Sequence, residues 1–121
     1  MREKPRDRGR LEHMLQAIVN IEEFLQDKSA EDFLLDKMLY FAVVKNMEII
    51  GEAAYMLTSE FKTAHPATDW RAMTKMRHIL VHGYYQVDSS IVWAAIRNDL
   101  PVLRQQLLSY LQENDFVPPE V

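Results

Sequence analysis

Histidine, arginine and tyrosine crowd one decapeptide, MRHILVHGYY, Met76 to Tyr85. Two of the chain's four histidines, two of its five tyrosines and Arg77 surround the apolar trio Ile79-Leu80-Val81. Histidine titrates near neutral pH and can carry a proton in either direction. Arginine stays charged and offers a planar fork that matches two oxygens of an anion. Together these types suit acid–base work at an anionic centre. A blander reading has His82 bonding last-turn helix carbonyls and Tyr84 filling the edge of the core. Arg77 and His82 are five residues apart, which places them about 140° apart on an ideal helix. They can share a face only if the helix ends between them. Gly83 predicts such an ending, with the glycine closing the helix in the left-handed region and His82 and Tyr84 in a turn. Spacing alone leaves both readings open.

Composition narrows the chemistry. The chain has no cysteine, which excludes a disulfide framework, a thiol nucleophile and zinc sites that use sulfur. The histidines at 13, 65, 78 and 82 show no metal-ligand spacing such as HExxH, so no metal and no cofactor is expected. A chain of 121 residues, 48% hydrophobic with three glycines and five prolines, predicts one domain over 1–121, with 1–6 and 114–121 loose. No run approaches the roughly 18 apolar residues of a membrane span, and the charged start MREKPRDRGR is not followed by the apolar stretch of a signal peptide. The expectation is a cytoplasmic protein away from membranes. A net charge of -4 argues against a general nucleic-acid coat, although residues 1–10 carry +3 and the remaining 111 carry -7. The basic start reads as a solvated arm, with a nucleic-acid contact as the alternative.

The elements that must position the decapeptide are helical. Leu11, Met14, Leu15, Ile18, Ile21 and Leu25 recur at three-and-four spacing and predict a helix from about 7 to 27. SAED from Ser29 to Asp32 is a capping-box pattern. Tyr40, Val43, Met47, Ile50, Ala54, Leu57 and Phe61 form the strongest stripe, predicting a long helix over about 34–63 that ends at His65-Pro66. Asp69 can cap a helix from Trp70 to about Gly83. After Asp88-Ser89-Ser90, Ile96, Leu100, Leu103, Leu107 and Leu111 keep one stripe across Pro101. There, either Asp99 caps a new segment or one helix kinks. No alternating strand pattern occurs, so the fold class is all-α: an up-and-down bundle of four to five helices.

Within the long helix, NMEIIGEAA interleaves Asn46, Glu48 and Glu52 with small residues. A glycine inside a helix costs roughly 1 kcal/mol against alanine, so Gly51 predicts close approach of another helix. Glu48 and Glu52, one turn apart, form either an exposed acidic face or polar groups turned toward a site or partner.

RHILVHGYY matches the Arg-x4-His-x-Tyr signature of the HepT-type HEPN ribonuclease toxins. VVKNMEIIGEAA, TDWRAMTKMR and VWAAIRNDLPVLRQQL fall in that family's order and spacing, so the chain resembles it over about residues 8–112. The resemblance implies a HEPN domain acting as a metal-independent RNase toxin of a toxin–antitoxin pair. Its partner would be a minimal nucleotidyltransferase antitoxin that attaches AMP to the motif tyrosine. Arg77 and His82 would be the catalytic pair and Tyr84 the modified residue; apart from the resemblance, the residues themselves offer His78, Tyr85, Glu48 and Glu52 as supporting candidates. The chain departs from the family in having His78 where Asn is usual and Tyr85 where Phe is usual. These add a second imidazole and a second phenol.

Those residue types suit RNA, which carries its own nucleophile in the 2′-hydroxyl. Cleavage without a metal needs a base, an acid and a cation, and proton transfer by a placed side chain contributes about 10²- to 10⁴-fold. One motif histidine per chain against two proton-transfer roles predicts a symmetric homodimer, expected to bury the Gly51 region. Two other classes compete with the nuclease. One is a non-catalytic HEPN dimer that binds a nucleotide, RNA or the nucleotidyltransferase through Arg77; the other is a purely structural helical dimer.

Overall fold

The stripe that predicts the first helix is buried: Leu11, Met14, Ile18 and Ile21 are fully inaccessible in helix α1 (Glu3–Phe24). The computed structural model describes residues 3–83 and 88–113, with side chains from Arg6 onward. Helix α1 therefore begins four residues before the expected boundary at 7. It gives way to a turn at 25–27 in which Asp27 takes the left-handed conformation, φ 62°. A short α2 (Ala30–Leu35) follows, started by the capping box: Ser29 Oγ accepts from Asp32 N at 3.1 Å, and Asp32 Oδ2 accepts from Ser29 N at 2.9 Å.

The long stripe does not form one helix. It divides into α3 (Lys37–Met56) and α4 (Ser59–Ala64), because the backbone is extended at Leu57 and Thr58, with ψ 148° and 151°. Three polar bonds hold that break. Thr58 Oγ1 accepts from Phe61 N at 3.1 Å and so caps α4, while the buried Asp7 accepts from Thr58 N at 3.0 Å and from its hydroxyl at 2.7 Å. The periodicity runs through the break because Phe61 returns to the core that Val43, Met47, Ile50, Ala54 and Leu57 already fill. At the other end, Asp36 accepts from Leu39 N at 3.0 Å and starts α3 afresh.

The remaining helices are α5 (Trp70–Gly83), α6 (Ser89–Asn98) and α7 (Leu100–Leu111). Of the two options at Pro101, the chain takes a new segment: Pro101 lies in the first turn of α7, although Asp99 makes no side-chain cap bond. Among the described residues there are thus seven helices and no strand, against an expected four to five. The all-α class stands. Helix α1 runs antiparallel to α3, with Asp7 beside Thr58 and Asn20 bonded to Asn46 at 3.1 Å. It also runs antiparallel to α7, where Arg8 donates to Leu111 O and Arg104 pairs with Glu22, both at 3.3 Å. Helix α5 packs on α3, so α3 lies between α1 and α5. No described helix is long and apolar enough to cross a membrane.

Candidate functional site

The site rests on how α5 is rooted. Asp69 accepts from Ala72 N at 3.0 Å, and the buried Trp70 donates its indole N–H to His65 O at 3.0 Å. Thr68 shares a 2.6 Å hydrogen bond with Tyr110, tying the same turn to α7. At Met73 and Arg77, where its motif begins, α5 crosses α3 at Gly51. A Cβ built there would meet the Arg77 Cβ and lie 2.7 Å from the Met73 carbonyl oxygen. The close approach expected of Gly51 is therefore made within the chain, by α5. That contact occupies the surface which the sequence reading assigns to a dimer.

The backbone crossing brings the Arg77 side chain to Glu52, the residue after Gly51 on α3. Its Nε lies 2.7 Å from Glu52 Oε1, with the two side chains 33% and 52% exposed. An ion pair this open to water is worth about 0–1 kcal/mol, so an incoming phosphate can exchange with the carboxylate. Glu48 lines the same cleft of ≈ 290 Å³, which also takes Lys45 from α3, Arg10 and His13 from α1, and Val81 from α5. Arg10, His13 and Lys45 join the cleft without belonging to any motif; the only sequence signal for them is the three-residue spacing of Arg10 and His13 on α1.

His82 goes elsewhere. Helix α5 continues through Gly83, no described glycine has a positive φ, and the expected left-handed closure between Arg77 and Tyr84 is absent. On an unbroken helix His82 lies about 140° around the axis from Arg77, but only about 40° from His78. The His78 and His82 rings accordingly meet, with centroids 4.6 Å apart and planes inclined at 50°, and both side chains are exposed. One chain thus brings together Arg77 with Glu52, and His78 with His82. It does not bring Arg77 and His82 to one cleft. Tyr84 and Tyr85 lie outside the described residues. Among the described residues no group of three or more His, Asp or Glu side chains is placed to hold a metal ion.

Comparison with known proteins bears on this arrangement. The model of the family described as ribonuclease HepT-like matches residues 14–109. A probable ribonuclease HepT of Thermococcus cleftensis is 44% identical over 94 residues, 78% of this chain and 86% of that protein. A candidate RNase of Caldanaerobacter subterraneus subsp. tengcongensis is 38% identical over 103 residues, covering 85% and 92% of the two chains. A Methanocaldococcus jannaschii protein named as both a gamma-glutamylcyclotransferase and a candidate RNase is 37% identical over 105 residues, of which this chain spans 47%. No solved structure matches.

Proposed function

The chain belongs to the HepT-like ribonuclease family, and on that premise we propose that it is a metal-independent endoribonuclease, the toxin of a toxin–antitoxin pair. The observation that carries the reading is the state of Arg77: a guanidinium held at a helix crossing by a tightly packed backbone, with a half-exposed carboxylate that a phosphate can replace. In the reaction a base removes the proton of the 2′-hydroxyl, whose oxygen attacks the adjacent phosphorus. An acid then protonates the departing 5′-oxygen. Arg77 balances the charge that grows on the phosphoryl oxygens, where a fixed cation is most effective. The products are a 2′,3′-cyclic phosphate and a 5′-hydroxyl.

His82 is the proton carrier, with His78 close enough to share or relay the charge. Because His82 turns away from Arg77 on its own helix, the site is completed by a second copy in a symmetric homodimer whose motif segments, at the tips of α5, face each other and leave Arg71 and Lys75 outside the contact. Control comes from a nucleotidyltransferase antitoxin that attaches AMP to Tyr84.

Arg77→Ala and His82→Ala should each abolish cleavage of a single-stranded RNA and relieve growth arrest on expression, with helicity by circular dichroism unchanged. His78→Ala should cost less. Cleavage should survive EDTA, and light scattering should give twice the 14.2 kDa of one chain. A monomer with full activity would exclude the composite site, and loss of activity on chelation would exclude the metal-free reaction. RNA bound but never cut would move the chain to the non-catalytic HEPN class.

A further inference from the structure

We propose that the outer face of α5 is a track for single-stranded RNA, formed by Arg71 and Lys75 and leading to the two histidines. The inference rests on the ribonuclease reading and adds the residues that would hold the strand.

Arg71, Lys75, His78 and His82 follow one another at spacings of four, three and four. On a continuous helix they fall within about 60° of arc and along roughly 16 Å of axis, a single line of side chains. All four are exposed. Helix α5 carries no carboxylate at all, in a chain whose net charge is -4. The nearby acids lie off this line. Asp69 caps the helix start, Glu52 faces Arg77 on the far side of the axis, Glu48 lines the Arg77 cleft, Asp99 lines a cavity with Ala72, Met73 and Met76, and Asp88 binds Ser90 N and Oγ at 2.9 and 2.7 Å. Among the described residues no carboxylate pairs with Arg71 or Lys75.

An unpaired cationic line on a convex helix has the form of a phosphate contact, because phosphates are read by charge and supply much of the affinity. The strand form follows from the footprint. Modules that read double-stranded RNA by shape contact two successive minor grooves over about 16 base pairs. A line of roughly 16 Å on one helix cannot do that. A single strand can lie along it, and its backbone then arrives at His82 with the 2′-hydroxyl unconstrained by a duplex.

The test measures binding separately from cleavage. The probe is a mixed-sequence 2′-O-methyl oligoribonucleotide, which keeps the phosphates and lacks the nucleophile. Its affinity is taken from 50 to 200 mM salt for the full chain and for Arg71→Gln/Lys75→Gln. Each phosphate contact on a single strand contributes about 0.7 to the slope of log affinity against log salt. Two lost contacts should therefore lower the slope by about 1.4, and over that fourfold range the wild type should lose about sevenfold more affinity than the double variant. On a cleavable strand the loss should appear in KM more than in kcat. Arg71→Lys should keep the slope, and Lys37→Gln, which removes a charge from an exposed site on α3, should leave it unchanged.

An unchanged slope in the double variant, with the wild type still binding, would overturn the track alone. An equal fall for Lys37→Gln would also overturn it, by reducing the effect to net charge. Tight duplex binding that depends on Arg71 and Lys75 would refute the single-strand assignment. A wild-type chain that neither binds nor cuts RNA would sink the ribonuclease reading itself.

Discussion

Replacing Gly51 by alanine sets two physical effects against each other, and the structure says which wins. Alanine in a helix interior is favoured over glycine by about 1 kcal/mol. At Gly51 its methyl would meet the Arg77 Cβ, would lie 2.7 Å from the Met73 carbonyl oxygen, and would come within 3.3 Å of the Arg77 Cα. Those atoms belong to the core-facing side of a rooted helix, so relief requires α5 to move as a body. Overpacking of this kind costs typically 1–3 kcal/mol, and the number of close atoms places it at the upper end. The net expectation for Gly51→Ala is a loss of about 1–2 kcal/mol after the propensity gain, a fall in Tm of roughly 5–10 °C for a domain of this size. Gly9→Ala is the internal control. It also lies inside a helix, α1, but a Cβ there meets nothing within 4 Å, so it should gain up to about 1 kcal/mol. Urea unfolding read by circular dichroism measures both. Moving α5 also withdraws Arg77 from Glu52, and RNA cleavage should fall about tenfold or more, since small misplacements of a positioned group are costly. If Gly51→Ala proved as stable and active as Gly9→Ala, the account of the α3–α5 crossing would be refuted.

Thr58→Ala removes the cap of α4 and leaves the buried Asp7 without its 2.7 Å hydroxyl partner; a loss of about 1–3 kcal/mol in urea midpoint stability is expected, and one under 0.5 would contradict it. The Asp32 carboxyl is held below its ordinary value of 3.8, first by the Ser29 backbone N–H and then by its hydroxyl. Its contribution to stability is therefore complete above that value and is lost as the pH falls through the lower folded-state value. Asp32→Asn should flatten the stability profile below about pH 4 and leave its shape near neutrality unchanged; an identical acid limb in both proteins would rule the cap out as its source. Incubation with ATP and the cognate nucleotidyltransferase should add AMP to Tyr84, read by mass spectrometry of the peptide Met76–Arg97, and Tyr84→Phe should escape silencing. Modification confined to Tyr85 would reassign the site.

Local chemistry was legible wherever its partners lie close in sequence. Ser29 with Asp32, Asp69 before Trp70, and Asp88 before Ser90 all start helices where the residue types predict. The break at Thr58 was not legible, because the acid that stabilises it, Asp7, is 51 residues away and the apolar period continues through Phe61. Gly51 announced a close neighbour without naming it, and the neighbour proved to be α5 of the same chain. The family could be read from the motif and its flanking blocks. The separation of Arg77 from His82 could not, since it turns on whether α5 ends before His82 or includes it.

Mechanically, α5 is a cantilever. Its root is clamped by Trp70, Thr68 and the Gly51 crossing, and its last fully buried side chain is Leu80. Past that point Val81 is 38% exposed and His82 is exposed. Amide exchange should therefore be slow along the clamped length and faster over the final turn, where the described side chains are less buried. A beam built this way transmits little from tip to root. Whatever docks against the tip, a strand or a second chain, can set the His82 imidazole's position without disturbing the core, and Arg77, held at the Gly51 crossing, keeps its place whether or not the tip is engaged.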